Sequence, residues 1–274
     1  MSTLRITPEI ELRYGCDRAR LPEALRERFV ELEHDDAARA FLAAALAAPH
    51  GELITFCYGV LRKLMSDYDA YGLLDMYPMH VLSTAQLDQL LGAGPRARLL
   101  DVGAGSGGVT AQAAELYETV AATETSSALK RRLRKRGYDV LEHDFSDAPL
   151  PESIERYDAV LCLNVIDRCS HPRTLLKHIA RAVKPDGTVI VSVPLPLKPH
   201  VHVGRFTVDQ EERLPEAKSM WELGAGSLAS QLLQPAGLCV RALSRAPYLC
   251  RGDTVNPLYS LDAAIFVCSV DGTP

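Results

Sequence analysis

The 274-residue sequence has no excess of positive charge. Lysine and arginine number 30 against 35 aspartate and glutamate, which gives a formal net charge of −5. Nucleic-acid-binding proteins usually carry a basic face, so the composition argues against a nucleic-acid partner. The basic run from Lys130 to Arg136 is interpreted as the solvated face of a helix. A patch that steers an acidic peptide or RNA is the alternative.

Paired cysteines and long apolar runs are also missing. None of the seven cysteines stands in a Cys-x-x-Cys pair, so neither a zinc site nor a disulfide framework is predicted. The longest apolar runs are short and interrupted by charge, so no membrane contact is expected. The N-terminus MSTLRITPEIELRYG lacks the apolar core of a secretory signal. We therefore expect a cytoplasmic protein with reduced thiols.

The pattern of apolar residues changes near residue 95. Residues 1–95 are interpreted as a helical cap, because apolar residues recur there at helical spacing. The helices of this cap are predicted at 21–34, 37–48, 52–66 and 83–91. In residues 96–274, seven short strands are predicted at 98–102, 118–123, 139–142, 159–163, 188–193, 239–244 and 263–270. Helices between most of them are predicted at 109–116, 126–136, 172–183 and 227–234.

This alternation predicts an α/β fold. Strand, crossover helix and strand repeated in this way build a mostly parallel sheet with helices on both faces. The result is a seven-stranded Rossmann-like sheet behind an N-terminal helical cap. Residues 194–223 have weak periodicity and many Pro, Gly and His residues. Loops of that length are usually functional, so this stretch is predicted to be a substrate-facing insertion.

The first predicted strand runs into a glycine-rich turn, RLLDVGAGSGG. Asp101 is followed by Gly103, Gly105 and Gly107, and glycine is needed where the backbone turns sharply towards a ligand. The carboxyl end of a strand is also where open α/β sheets bind ligands. The spacing differs from the dinucleotide motif Gly-x-Gly-x-x-Gly. It suits S-adenosylmethionine, which has no pyrophosphate, and Asp101 is expected near the ammonium group of that cofactor.

Further residues complete the predicted cofactor site. Glu124 closes the second strand, where a carboxylate can accept both ribose hydroxyls at about 1.5–3 kcal/mol each. Asp144 follows the third strand and is predicted to accept from the adenine amino group, with Phe145 packed on the ring. Together with the turn KPDGT before the fifth strand, this order is typical of a class I methyltransferase. S-adenosylhomocysteine is then the product; a nicotinamide dinucleotide is the alternative that Glu124 would also suit.

The fourth strand ends in the sequence NVID. In this fold the residue after strand four lies beside the sulfonium methyl, so Asn164 is also predicted to contact the cofactor. Asn164 and Asp167 are three residues apart, and a turn would place both on one side. The alternative interpretation makes Asp167 a helix N-terminal residue that the helix dipole favours.

These strings resemble the DREV-type methyltransferase family, which includes methyltransferase-like protein 9 and bacterial relatives. The resemblance covers roughly residues 50–270, and the strings that carry it are NVIDRCSHPRTLLKHI, LLDVGAGSGGVT, TFCYGVLRKLMSDYDAYGLL, VPLPLKPHVHVG, APYLCRGD and NPLYSLDAAIFV. It implies methylation of histidine at the pros nitrogen, in His-x-His motifs of a peptide or protein partner. It also assigns Asn164, Asp167 and Tyr259 to holding the target imidazole.

The residue types suit that chemistry. Histidine has an ordinary pKa of about 6.5, so its ring is largely neutral and nucleophilic at cytoplasmic pH. A carboxylate such as Asp167 that accepts the tele N–H leaves the pros lone pair facing the methyl group. His200, His202 and Tyr248 are predicted to line the peptide groove, which is favoured over self-methylation at His200-Val-His202 or a metal site. A small-molecule N- or O-methyltransferase and an inactive cofactor-binding module remain alternatives.

Overall fold

The computed structural model describes residues 10–203 and 206–270, so the N-terminal residues 1–9 that bear on a leader lie outside it. The helices are α1 Glu23–Arg26, α2 Asp36–Ala47, α3 Glu52–Leu61, α4 Asp67–Leu74, α5 Thr84–Leu91, α6 Thr110–Ala114, α7 Ser127–Lys135, α8 Pro172–Ala182 and α9 Trp221–Leu228. The strands are β1 Met79–His80, β2 Arg98–Val102, β3 Thr119–Thr123, β4 Asp139–Leu141, β5 Tyr157–Leu163, β6 Val183–Leu195, β7 Val201–Val203, β8 Phe206–Val208, β9 Leu238–Arg251 and β10 Leu258–Val270.

The main sheet has the order β1-β9-β10-β6-β5-β2-β3-β4. Its strands from β6 to β4 are parallel, whereas β10 and β9 join antiparallel. The predicted α/β, Rossmann-like fold is confirmed, with one correction to the strand count. An eighth strand, β1, extends the edge because Met79 pairs with Cys250 of β9, and two residues are too short to recognise from periodicity.

Two hydrophobic cores cover the two faces of the sheet. Successive side chains of a strand point to opposite faces, so in β2 Leu100 packs into one core and Leu99 into the other. Both are fully buried. The central parallel strands are apolar on both faces for this reason, and their carboxyl ends meet at one edge, where they position the site.

The prediction of a helix over residues 21–34 is wrong. Only Glu23–Arg26 is helical; after it, Phe29 forms a β-bridge with Leu243 of β9. The amide of Val30 donates to the Leu243 carbonyl at 2.8 Å. This segment has apolar residues at helical spacing, but an available edge strand offers its backbone other hydrogen-bond partners and its Phe29 side chain a buried position. Tertiary pairing therefore overrides the local helical preference.

One helix escaped the sequence prediction. Helix α4 begins after Ser66, whose side chain accepts a hydrogen bond from the Asp69 amide. The signal was present in the sequence, because Ser66 followed by acidic residues in the first turn is a typical helix start. The omission matters, because α4 forms one wall of the site.

The predicted insertion at 194–223 divides into two parts. Its first part contains the hairpin of β7 and β8. Its second part packs against the start of α8, where the Glu212 carboxylate accepts from the amides of Arg173 and Thr174 at 2.8 and 2.9 Å. Only the first part faces the site. No helix within the described ranges is long and apolar enough to cross a membrane.

Candidate active site

A cleft of about 750 Å³ opens at the carboxyl ends of the parallel strands. Its walls come from the loops after β2, β3, β4 and β5, from helix α4, from the segment that ends in β7, and from β9 and β10. Ligands bind at this edge of an open α/β sheet because the helices diverge there and leave backbone groups accessible. In the described part of the chain, no group of three or more His, Cys, Asp or Glu side chains is arranged to hold a metal ion.

The three loop glycines all have positive φ angles, of 72°, 57° and 77° at Gly103, Gly105 and Gly107, yet they face different surroundings. A Cβ on Gly105 would meet no atom within 4 Å, and Gly105 lines the cleft. A Cβ on Gly107 would lie 2.9 Å from Leu133 Cδ2. Gly105 therefore leaves room for a ligand, whereas Gly107 permits the loop to pack on α7.

Asp101 lies beneath this loop and does not line the cleft. It is buried, and its Oδ2 accepts a hydrogen bond from the Thr110 hydroxyl at 2.6 Å. Burial raises the pKa of this carboxyl to about 7, against the lowering effect of the Thr110 hydrogen bond. Its observed role is to tie β2 to α6. The direct contact with the cofactor ammonium stays a prediction.

Glu124 lies at the cleft wall, where the sequence predicted it. Its carboxylate accepts from the amides of Gly105, Thr125 and Ser126 at 3.0, 2.7 and 3.0 Å. These three donors fix the side chain at the end of β3, next to the open space at Gly105. Oε1 is also contacted by the Thr125 hydroxyl at 3.3 Å, whereas Oε2 accepts, among the described residues, only from Gly105 and keeps a lone pair for a ribose hydroxyl.

The predicted adenine contacts also line the cleft, but they differ in burial. Asp144 is exposed, and its Oδ1 accepts from the Ser146 amide at 2.7 Å. Phe145 is only 1% exposed and belongs to the core, with its ring edge-on to His143 at a centroid distance of 4.7 Å. Phe145 thus forms the buried floor of the cleft after β4, and Asp144 lies at the exposed rim.

Asn164 follows β5 and lines the cleft. Its φ angle is 59°, a left-handed conformation that asparagine tolerates better than most residues. Two hydrogen bonds to Ser192 of β6 hold it. The backbone N–H of Asn164 donates to the Ser192 carbonyl, and the side-chain Oδ1 accepts from the Ser192 hydroxyl, both at 2.9 Å. Such a conformation costs free energy and is common at functional sites.

Asp167 lies in the turn after β5 and is 2% exposed. Helix α8 begins only at Pro172, with His171 at its N-cap, so the helix-terminal interpretation of Asp167 is wrong. Burial raises the pKa of its carboxyl to about 6, while nearby Arg168 lowers it. Among the described residues, Oδ1 of Asp167 has no hydrogen-bond partner. It does not line the cleft itself, although both Arg168 and Val165 do.

The histidines of the insertion lie beside the Asp167 turn and helix α4. His200 contacts the Arg168 guanidinium through its ring nitrogens, and its amide donates to the Asp167 carbonyl at 3.0 Å. His202 Nδ1 lies 3.5 Å from Asp67 Oδ2, and its ring is edge-on to Tyr68. Both histidines line the cleft, so residues 200–202, which lead into β7, cross from the Asp167 turn to α4.

Tyrosines complete the cleft, and the sequence analysis missed most of them. Tyr248 and Tyr259 line it as predicted. Tyr248 donates to Met79 Sδ at 2.7 Å, and Tyr259 stands at the rim, 42% exposed, with its ring 6.5 Å from that of Tyr77. Tyr68 and the neighbouring Tyr71 come from α4. A helix assigned at DYDAYGLL would have indicated them.

Comparison with known proteins identifies the family of this chain. A family model described as DREV methyltransferase matches residues 13–270. The chain belongs to the DREV methyltransferase family. The family description names methyl transfer, and the cofactor that goes with it is S-adenosylmethionine. The residues at the Gly105 and Glu124 end of the cleft fit that cofactor, because they combine open space at a glycine with an anchored carboxylate.

Curated relatives match a shorter region. Ubiquinone biosynthesis O-methyltransferase of Xanthomonas campestris pv. campestris is 30% identical over 125 residues, which are 42% of this chain and 51% of that protein. The enzyme of the same name from Alkalilimnicola ehrlichii is 32% identical over 123 residues, 42% and 50% of the two chains. The chain thus spans about half the length of the curated relatives it matches.

Solved structures show related folds at low identity. The N-methyltransferase NodS of Bradyrhizobium japonicum in complex with S-adenosylhomocysteine is 14% identical, with 69% of this chain and 85% of that chain covered and a TM-score of 0.43. The 1,6-didemethyltoxoflavin N1-methyltransferase of Burkholderia thailandensis is 22% identical, covers 68% and 76%, and has a TM-score of 0.46. These similarities concern the fold alone.

Proposed function

We propose that this methyltransferase transfers the methyl group to the pros nitrogen of a histidine in a His-x-His motif of a peptide or protein. The observation that carries the proposal is the buried Asp167 carboxyl, which adjoins the cleft-lining Arg168 without lining the cleft itself. Its Oδ1 has no hydrogen-bond partner among the described residues. An unpartnered buried acceptor costs about 1–3 kcal/mol. A binding site retains such a cost when a ligand supplies the missing donor.

An imidazole N–H is a suitable donor for that oxygen. With the tele N–H donated to Asp167, the pros nitrogen keeps its lone pair and the carboxylate stabilises the positive charge that develops on the ring. Asn164 is oriented by Ser192 and adds a neutral polar contact beside it. Tyr259 supplies a ring and a hydroxyl at the rim. Alignment of nucleophile and methyl group provides much of the remaining acceleration.

The other end of the cleft would hold the cofactor, which supplies an electrophilic methyl group when bound. Gly105 allows close approach, and Glu124 accepts from a ribose hydroxyl. Asp144 and Phe145 frame the adenine position. The chain's own residues thus separate two tasks along the cleft: backbone and carboxylates near β2, β3 and β4 hold the donor, and the turn after β5 orients the acceptor.

The test is methylation of synthetic peptides with labelled S-adenosylmethionine. We expect transfer to Gly-His-Ala-His-Gly-type peptides, with mass spectrometry and chromatography of the hydrolysate identifying pros-methylhistidine. The matched control peptide has glutamine at both histidine positions. Transfer to the tele nitrogen would contradict the assigned orientation.

A small molecule with a hydroxyl group, for which a simple phenol is the probe, is the competing acceptor in this assay, because the curated relatives are O-methyltransferases. Transfer to a phenol, with none to any histidine peptide, would overturn the proposed substrate while leaving the cofactor site intact. Binding of S-adenosylhomocysteine by calorimetry, measured in parallel, separates that outcome from an inactive preparation.

A further inference from the structure

Arg168 lies between the buried Asp167 and the segment that crosses the cleft. Its Nη2 is 3.4 Å from Asp167 Oδ2, and its Nη1 contacts both ring nitrogens of His200. Its side chain is 30% exposed and lines the cleft. Within the described ranges, no other lysine, arginine or histidine nitrogen lies within ion-pair distance of the Asp167 carboxylate.

The other titratable groups around Asp167 come from four elements, and they are neutral near pH 7. Burial raises the pKa of Cys162 in β5 well above its ordinary value and that of Cys169 in the following turn to about 12. Burial also raises the pKa of Tyr68 in α4 to about 12 and that of Tyr248 in β9 still further. Arg168 is therefore the charge that compensates Asp167.

We infer that Arg168 is a positioning residue with two separable tasks: it keeps Asp167 charged and oriented, and it anchors His200 so that residues 200–202 form a wall of the acceptor site. The catalytic part of this inference rests on the function proposed for Asp167. One guanidinium can perform both tasks because its planar group presents five N–H donors in a fixed fork. The positions of Asp167 and His200 should therefore both depend on Arg168.

Substitution by lysine separates the two tasks. A lysine supplies a positive charge near Asp167 but only a compact ammonium group, which cannot reproduce the planar contacts of arginine. Glutamine removes the charge and the fork. The two variants should therefore differ in the ionisation of Asp167 and agree in the loss of the His200 contact.

The kinetic test uses a His-x-His peptide at saturating cofactor. For Arg168→Gln we expect kcat to fall, and the midpoint of the acidic limb of the kcat–pH profile to rise by about one pH unit. KM should rise about tenfold, as expected for the loss of a charge-assisted hydrogen bond. Arg168→Lys should restore the midpoint but not KM, and His200→Ala should change KM alone. Lys177→Gln, at an exposed position of α8, removes one charge as the matched control.

A stability cycle tests the Asp167 contact without any substrate. The folded pKa of Asp167 is raised above its ordinary value, so this group's contribution to stability is largest below about pH 4 and is lost as pH rises through the folded pKa. Arg168→Gln should extend this loss to higher pH. Burial and, to a smaller extent, Arg168 lower the pKa of His200, so in an Asp167→Asn background the same substitution should keep only the part of the pH-dependent difference that comes from this imidazole.

Thermal melts of the four proteins between about pH 4 and pH 8 measure the cycle. A pH-dependent coupling between the two substitutions supports the inference even if no histidine peptide is methylated, a result that would remove only the proposed function. Equal pH dependence of Arg168→Gln in both backgrounds would overturn it. So would a kcat midpoint in Arg168→Gln that does not move, with methylation observed.

Discussion

The two ends of the cleft are built in different ways. At the end proposed to hold the methyl donor, called the donor end, Gly105 and Glu124 follow adjacent parallel strands, and backbone amides hold the Glu124 carboxylate. The end proposed to hold the methyl acceptor is called the acceptor end. At the acceptor end, side chains meet from segments far apart in the chain: Tyr68 in α4, Asp167 after β5, and His200 before β7. The donor end thus depends on local spacing, and the acceptor end on tertiary contacts.

This difference explains how far the residues at each end of the cleft can vary. At the donor end, the backbone N–H groups and the positive φ angles of the glycines leave little freedom for substitution, so this end suits one cofactor. The acceptor end consists of side chains from a turn, a hairpin and a helix, and each can change without disturbing the sheet. Binding residues on loops over a rigid scaffold are the usual arrangement for this reason.

The largest effect is expected for Asp167→Asn. The amide can still accept the imidazole N–H, but it lacks the charge that stabilises the imidazolium, so kcat should fall about 10²–10³-fold. Cofactor affinity should not change, because the donor end is intact. Single-turnover methylation of a His-x-His peptide measures the rate, and calorimetry with S-adenosylhomocysteine measures the affinity.

Stability supplies the control for that variant. Since burial raises the pKa of Asp167 to about 6, the folded protein carries an unfavourable buried charge above that pH, and the neutral amide removes it. The melting temperature of Asp167→Asn at about pH 8 should therefore equal or exceed that of the parent. Full activity in this variant would contradict the assignment of Asp167.

At the donor end, Glu124→Ala should weaken cofactor binding by at least about tenfold, because a charged hydrogen-bond acceptor for the ribose is lost. Peptide KM at saturating cofactor should be unchanged. Glu118→Ala removes the same charge at an exposed position just before β3 and serves as the control. Unchanged affinity in a folded Glu124→Ala protein would place the ribose elsewhere.

The glycines sharpen the comparison within the donor end. Gly105→Val should weaken cofactor binding several-fold, because its side chain would occupy the open space beside the cleft, and the positive φ adds strain of about 1–2 kcal/mol. Gly107→Val should mainly lower the melting temperature, since its side chain would collide with Leu133. Equal losses of affinity in both variants, measured by calorimetry, would show that the loop acts as one unit.

The smallest effect is expected for the histidine wall. His200→Ala and His202→Ala should each raise peptide KM a few-fold, because each removes contacts that hold the segment to Arg168 or Asp67. Cofactor affinity should be unchanged. His143→Ala, which changes the cleft beside Phe145, should have the opposite profile. A loss of cofactor affinity with normal peptide kinetics in the His200 variant would place this segment at the donor end.

Periodicity and short motifs were sufficient to predict the sheet, the glycine turn and the places of Glu124, Asp144 and Asn164 at the cleft. These features follow from local rules: strands with apolar faces, and residues that directly follow a strand end. The helix predicted over 21–34 and the two-residue strand β1 show where local rules stop. Both errors concern pairing with β9, an element more than 150 residues later in the sequence.

The sequence alone determined the fold class and the donor end of the cleft, because a strand followed by its own turn carries its ligand-binding residues with it. Tertiary structure alone decided that Asp101 and Gly107 support the loop from outside the cleft, and that α4 contributes tyrosines to the acceptor wall. It also decided the place of Arg168 between Asp167 and His200. Burial and charge compensation depend on which distant segments come into contact, and the spacing of residues along the sequence does not indicate those contacts.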